Sequence, residues 1–242
     1  SINYQLKFLI YIGKLQLKMN KILILISTIL LTSCQNNILK NIAKTDIDII
    51  TEIHVVNAKS QIEDLIIKLY KLNPIYIKKN ENFNSVSQVI LDIFKEVDIN
   101  EVDKTGQENI DFILKGFDKK FTGDRIYYIC KGLYGMINAS YNYKSKFYFT
   151  DQNIDAQKIM NTAVNIETLV WRLSNTKEDG VLLITTNNIK KNKINLSFER
   201  LFGKLINNQE NMARIISSQQ GRMIQKAAQG VVQKVLFLPI GI

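Results

Sequence analysis

A mainly α, single-domain helical bundle with one short extended segment near 181–187 is what this chain of 242 residues predicts. Apolar residues recur at the i, i+3, i+4, i+7 spacing of amphipathic helices along most of its length. The balance of 46% apolar and 22% charged residues is that of a globular rather than a disordered protein, and the length is sufficient for one sizeable core. No internal repeat or low-complexity linker interrupts the pattern.

The first elements are not part of that bundle. Met19-Asn20-Lys21 is a short basic start, Ile22 to Leu31 is a ten-residue apolar run broken only by Ser27 and Thr28, and Leu31-Thr32-Ser33-Cys34 closes it. Basic, apolar, small is the order of a secretory signal. Ten residues make a helix of about 15 Å against about 30 Å of hydrocarbon, too short to span a bilayer. Met19 reads as the natural start, which leaves residues 1–18 as an upstream, untranslated stretch, 19–33 as the signal, 34–41 as a tether and 42–242 as the helical domain.

The four residues ending in Cys34 resemble the lipobox of bacterial lipoproteins, a branched or leucine residue and two small residues ahead of a cysteine. The resemblance implies that Cys34 receives a diacylglyceryl thioether and becomes the mature N-terminus. Small side chains at Thr32 and Ser33 admit the preceding bond to the signal peptidase, and only a thiol supplies the linkage. Gln35 is not the aspartate that commonly retains such proteins in the inner membrane, so outer-membrane sorting is implied for a cell with two membranes. The alternative is Cys34 as a buried small hydrophobe. Once Cys34 is lipidated Cys130 is the only thiol left, so no intramolecular disulfide is expected.

Formal net charge is +10, but four lysines and no acids precede Cys34, and the mature part carries 28 basic and 22 acidic side chains, a net +6. No basic run of five or more follows, so charge gives no nucleic-acid signal. The aromatic and basic stretch from Tyr141 to Phe149 resembles a base-stacking segment in composition. An envelope location argues against nucleic acid, and a loop burying its aromatics is the simpler reading.

The helical domain is read in order. Apolar residues recur from Asp46 onward; Ile62, Leu65, Ile66 and Leu69 share a face, and Asn73-Pro74 closes that helix. Ser85 is an N-cap for Val86, Val89, Ile90, Ile93 and Phe94. Thr122 or Asp124 caps a helix whose stripe runs Ile126, Ile129, Cys130, Leu133, Tyr134, Ile137, which puts Cys130 inside as core. Asp155 starts a helix through Ile159, Ala163, Ile166, Val170 and Leu173 that ends near Ser174-Asn175, with Trp171 expected to pack. Val181 to Thr186 has strand character, too little for a sheet. From Leu196 the period is helical again through Phe198, Leu201, Phe202, Leu205, Met212 and Ile216, and glycines such as Gly221 are candidate breaks. The apolar end, Val235 to Ile242, is expected to dock on the core or on a partner.

Over almost the whole mature part the chain resembles an uncharacterised family of proteobacterial lipoproteins. The likeness is carried by Lys44 to Asp48, Lys68 to Pro74, Gly123-Asp124-Arg125, Asn165-Ile166-Glu167 with Trp171, and Asn195 to Lys204. It implies export and an outer-membrane anchor, and it assigns no catalytic residue.

Catalytic chemistry finds little support. His54 is the single histidine, which excludes two-histidine zinc sites, and its apolar neighbours suit a core or boundary residue. Asp46, Asp48 and Glu52 lack the ordered calcium-loop pattern. Nucleophile elbows, phosphate loops and dinucleotide fingerprints are absent. No catalytic residue, metal or cofactor is assigned. Asp124 and Arg125, Glu167 and Arg172, and Glu199, Arg200 and Lys204 are candidates for a polar network that fixes helix register, with surface solvation as the alternative. The expected function is a membrane-anchored, non-enzymatic envelope module, held to the membrane through Cys34, with an envelope protein as the candidate partner. The alternative is an enzyme or ligand-binding lipoprotein using carboxylates such as Asp46, Asp48, Glu167 or Glu199.

Overall fold

The computed structural model describes residues 16, 18–22, 44–98, 100–103, 105–148, 154–187, 189–190, 193–221, 223–224, 237–238 and 240. The chain divides into two units, Ser1–Thr45 with Tyr148–Thr150, and Asp46–Phe147 with Asp151–Ile242. In the first, residues 18–22 are helical. The lipobox and Cys34 lie outside the described residues.

The second unit is mainly helical. Its elements are α1 Asp46–Leu72, α2 Ile75–Lys78, α3 Val86–Ile93, α4 Gln107–Phe117, α5 Arg125–Ser140, α6 Ala156–Asn175 and α7 Ser197–Gln220. Between α6 and α7 lie β1 Lys177–Glu178 antiparallel to β2 Val181–Leu182, and β3 Ile189–Lys190 antiparallel to β4 Lys193–Ile194. α4 packs along α5, α6 along α7, and α1 against α7, α5 and α3. The core is built where their apolar stripes meet: Ile62, Ile66 and Leu69 of α1, Ile126, Ile129 and Leu133 of α5, Ile159 and Ile166 of α6, Phe198 and Met212 of α7. Among the described residues no helix is long and apolar enough to cross a membrane.

Helix ends follow local chemistry. The side chains of Ser85, Asp124 and Asp155 accept from the backbone N–H groups of Gln88, Tyr127 and Gln157 at 3.3, 3.1 and 2.8 Å, satisfying donors that the first turn leaves open. α7 ends on Gly221 at φ +62°, a left-handed cap that costs glycine little. Cys130 is fully buried on α5.

The extended segment near 181–187 is only part strand: Val181 and Leu182 close a two-residue hairpin, and the residues after them have no regular structure. Side chains fix them instead. Asn73 brackets Thr185, its Nδ2 donating to the Thr185 carbonyl and its Oδ1 accepting the Thr185 N–H, both at 2.8 Å, while the Tyr76 hydroxyl donates to the Leu183 carbonyl at 2.6 Å. Asn165 of α6 brackets the Leu238 backbone in the same way, at 2.9 and 2.6 Å, and Ile240 is buried.

Two readings need correction. Trp171 does not pack: its side chain is 51% exposed, because it stands about 140° round α6 from Ile166, off the buried face. The helix α4 was not among the elements that the spacing suggested. It starts on Gly106 at φ +70°, and its first N–H groups are accepted by Thr105 and Asp103 ahead of that glycine, so the capping side chain is not at the position that marked α3, α5 and α6.

Candidate functional site

The densest polar chemistry among the described residues lies where α5 begins. Asp124 is only 3% exposed. Its Oδ2 accepts from the Tyr70 hydroxyl of α1 at 2.6 Å and from Asn80 Nδ2 at 2.9 Å, while its Oδ1 caps α5 through the Tyr127 N–H. Desolvation raises the Asp124 pKa above the usual carboxylate value, although each of those hydrogen bonds pulls the other way. Burial first, and then the neighbouring carboxylate, push the Tyr70 hydroxyl well above its ordinary value, so it stays a donor.

Arg125, also buried, faces elsewhere. Its guanidinium donates to the carbonyls of Gly116, Asp118 and Lys119 at 3.1, 2.5 and 3.4 Å, so it closes the C-terminal end of α4, where carbonyls have no partner within the helix. Adjacent in sequence, the two charges serve two different joints. Asp124 ties α1 and the Asn80 turn to α5, and Arg125 ties α4 to α5.

Outward from this node runs a ladder of half-buried rings: Phe83, Tyr127, Tyr128 and Phe121, with centroids 5.8, 5.2 and 5.0 Å apart in turn, and Phe112 at 5.9 Å from Tyr128. Two lysines cover ring faces. Lys115 Nζ is 4.1 Å from the Tyr128 centroid and 5.2 Å from Phe121; Lys131 Nζ is 5.1 Å from Tyr127 and 5.6 Å from Phe112. Lys131 also pairs with Asp92 at 3.4 Å and donates to the Tyr127 hydroxyl at 2.7 Å, and that hydroxyl donates to Asp92 at 2.7 Å. Each cation–π contact at such a site contributes about 0.5–1 kcal/mol. The outcome is a patch of aromatic surface that carries Lys115 and the Lys131–Asp92 ion pair, held by helices that the Asp124 and Arg125 joints fix in place.

The other candidate residues lie apart from this node. Glu199, Arg200 and Lys204 are exposed on α7, and Glu199 accepts from Asn187 Nδ2 at 2.6 Å, so this group belongs to a solvated face rather than to a buried network. Glu167 and Arg172 are half-buried on α6, with the Arg172 guanidinium 5.3 Å from the Phe237 ring. Asp46 is exposed and Asp48 half-buried. His54 is half-buried and joins α1 to α7: its Nδ1 lies 3.1 Å from the Asn208 carbonyl while Asn208 Nδ2 donates to the His54 carbonyl at 2.9 Å. A carbonyl only accepts, so the proton sits on Nδ1. Among the described residues no three His, Cys, Asp or Glu side chains are grouped to hold a metal ion.

Tyr141 and Phe147, in the stretch that mixes aromatics with lysines, are buried; Glu52 receives the Phe147 N–H at 3.0 Å. The ring ladder itself escaped the sequence reading. Only Tyr127-Tyr128 is visible as a pair, and the other rings come from segments up to about forty residues away, which no local spacing connects.

No protein-family model, curated protein or solved structure matches this chain.

Proposed function

We propose that the protein is a lipid-anchored module of the bacterial envelope, attached to the outer membrane through Cys34 and acting by contact with an envelope protein rather than by catalysis. The observation that carries this reading is the run of residues from Met19 to Cys34: a basic start, an apolar stretch too short to span, and a lipobox-like ending on a thiol. Two or three acyl chains on one residue, at about 0.8 kcal/mol per buried methylene, hold a protein on a bilayer where one chain holds it marginally.

The ring and lysine ladder around Tyr128 is the surface for the partner. Aromatic side chains are enriched in interface cores, and Lys115 over the Tyr128 ring adds a positive charge that favours an acidic or carbonyl-rich segment. Asp124, at 3% exposure with both carboxylate oxygens engaged, is a joint under that surface rather than an acid or base for a substrate.

Replacing the attachment atom tests the anchor. Cys34→Ser leaves the apolar run intact, so the variant should still enter the export route but should take up no palmitate analogue and should keep its signal. Equal labelling of wild type and variant would overturn the proposal.

A further inference from the structure

The first turns of α1 are apolar on two sides. Ile47 packs on the core and Ala58 is buried in it, while half a turn round the helix Ile49, Ile53 and Val56 stand 48, 53 and 63% exposed at the i, i+4, i+7 spacing of one stripe, with Ile50 36% exposed beside them. Scattered exposed hydrophobes are ordinary, but a stripe in register at one end of a helix is a surface.

We infer that this stripe docks on the lipid bilayer itself, an inference that rests on the anchor at Cys34. Chain length puts the bilayer within reach. Eleven residues separate Cys34 from Asp46, so α1 begins no more than about 40 Å from the acylated residue however the chain runs between them. The stripe occupies the turns next to that tether; farther along the same side α1 carries Glu63 and Asp64 and then Ile67, 46% exposed. Area decides against a second copy. Four partly exposed aliphatic side chains offer a few hundred Å², well short of the roughly 800 Å² per partner of a stable interface. A surface tethered at high effective concentration does not need that area.

Charge sets the kind of lipid. Asp46 and Glu52 lie in the turns of the stripe, so anionic headgroups are disfavoured there, and docking is apolar, weakly dependent on salt and suited to zwitterionic lipid. Ile49, Ile53 and Val56 enter the boundary between headgroups and acyl chains.

The test uses the full mature protein, purified from membranes and carried in phosphatidylcholine vesicles. Trp171 is the only tryptophan, so Ile53→Trp in a Trp171→Phe background places a single indole in the stripe. Both positions are exposed, circular dichroism checks each fold, and Val56→Trp supplies a second indole should the first perturb α1. Phosphatidylcholine brominated high on its acyl chains should remove about half or more of the fluorescence, as expected for a face buried by some 5–10 Å, and Ile49→Asp should restore it. An indole quenched by aqueous iodide and not by brominated lipid, on a chain whose intact mass shows acylation, would overturn the docking and leave the anchor standing. Shielding from both quenchers, with cross-linked pairs through position 53, would overturn it in favour of a second copy. An unacylated chain would overturn the anchor and the docking that rests on it.

Discussion

The carboxylate of Asp124 is held by donors from three separate stretches of chain, and this makes it the residue whose loss should cost most among the charged ones. Asp124→Ala removes the cap of α5 and leaves the Tyr70 hydroxyl and Asn80 amide without an acceptor, for a loss of about 3 kcal/mol in a urea titration. Asp124→Asn keeps the cap and separates charge from shape. Burial raises the folded pKa of Asp124 above its unfolded value of 3.8. A carboxyl shifted in that direction contributes stability that is fully present below the unfolded value and is lost as pH rises through the folded one. Asp124→Asn is neutral throughout, so its urea midpoint should gain on that of the wild type as pH rises above about 4. A gap that does not change with pH would show that the hydrogen bonds cancel the desolvation.

At the scale of elements, α4 and α5 approach closely because glycines line their contact. A Cβ on Gly132 would press on the Asn109 carbonyl and come within 2.7 Å of Ile113 Cγ1; one on Gly116 would press on Ile129. Gly132→Ala should destabilise by about 2 kcal/mol although alanine is the better helix former by about 1 kcal/mol, since overpacking against backbone exceeds the propensity gain. Gly203 on α7 has nothing within 4 Å of that position, so Gly203→Ala should stabilise by about 0.5–1 kcal/mol. Thermal midpoints of the two variants moving in the same direction would contradict this picture.

Helices with a capping side chain and one clean stripe were legible in the sequence: Ser85, Asp124 and Asp155 mark three starts, and the stripe of α5 put Cys130 inside. α4 was not, because a left-handed glycine opens it and Phe112 and Leu114 blur the stripe formed by Ile110, Ile113 and Phe117. Trp171 misled because size suggested burial where angular position decides. Of the charged candidates, Asp124 and Arg125 are buried and Glu199, Arg200 and Lys204 are exposed; the sequence shows each residue's neighbours along the helix, but not which helix covers it.

For the whole molecule, location and architecture are encoded in different places. The proposed anchor rests on a leader of about fifteen residues, whereas the helical unit carries one core in which Cys130 is buried and free, its thiol pushed well above the usual range by desolvation. The unit therefore holds together by packing. In the proposed function the chain ahead of Asp46 sets where the protein acts, and the ring ladder and the α1 stripe set what it touches there. Mass spectrometry of the N-terminal peptide of wild-type protein from its own membranes reads the first of these in one spectrum. The mature chain should begin at Cys34 and carry the added mass of a diacylglyceryl group, with or without a third acyl chain. A free, unacylated N-terminus at any other residue would contradict the lipid anchor and the outer-membrane location together.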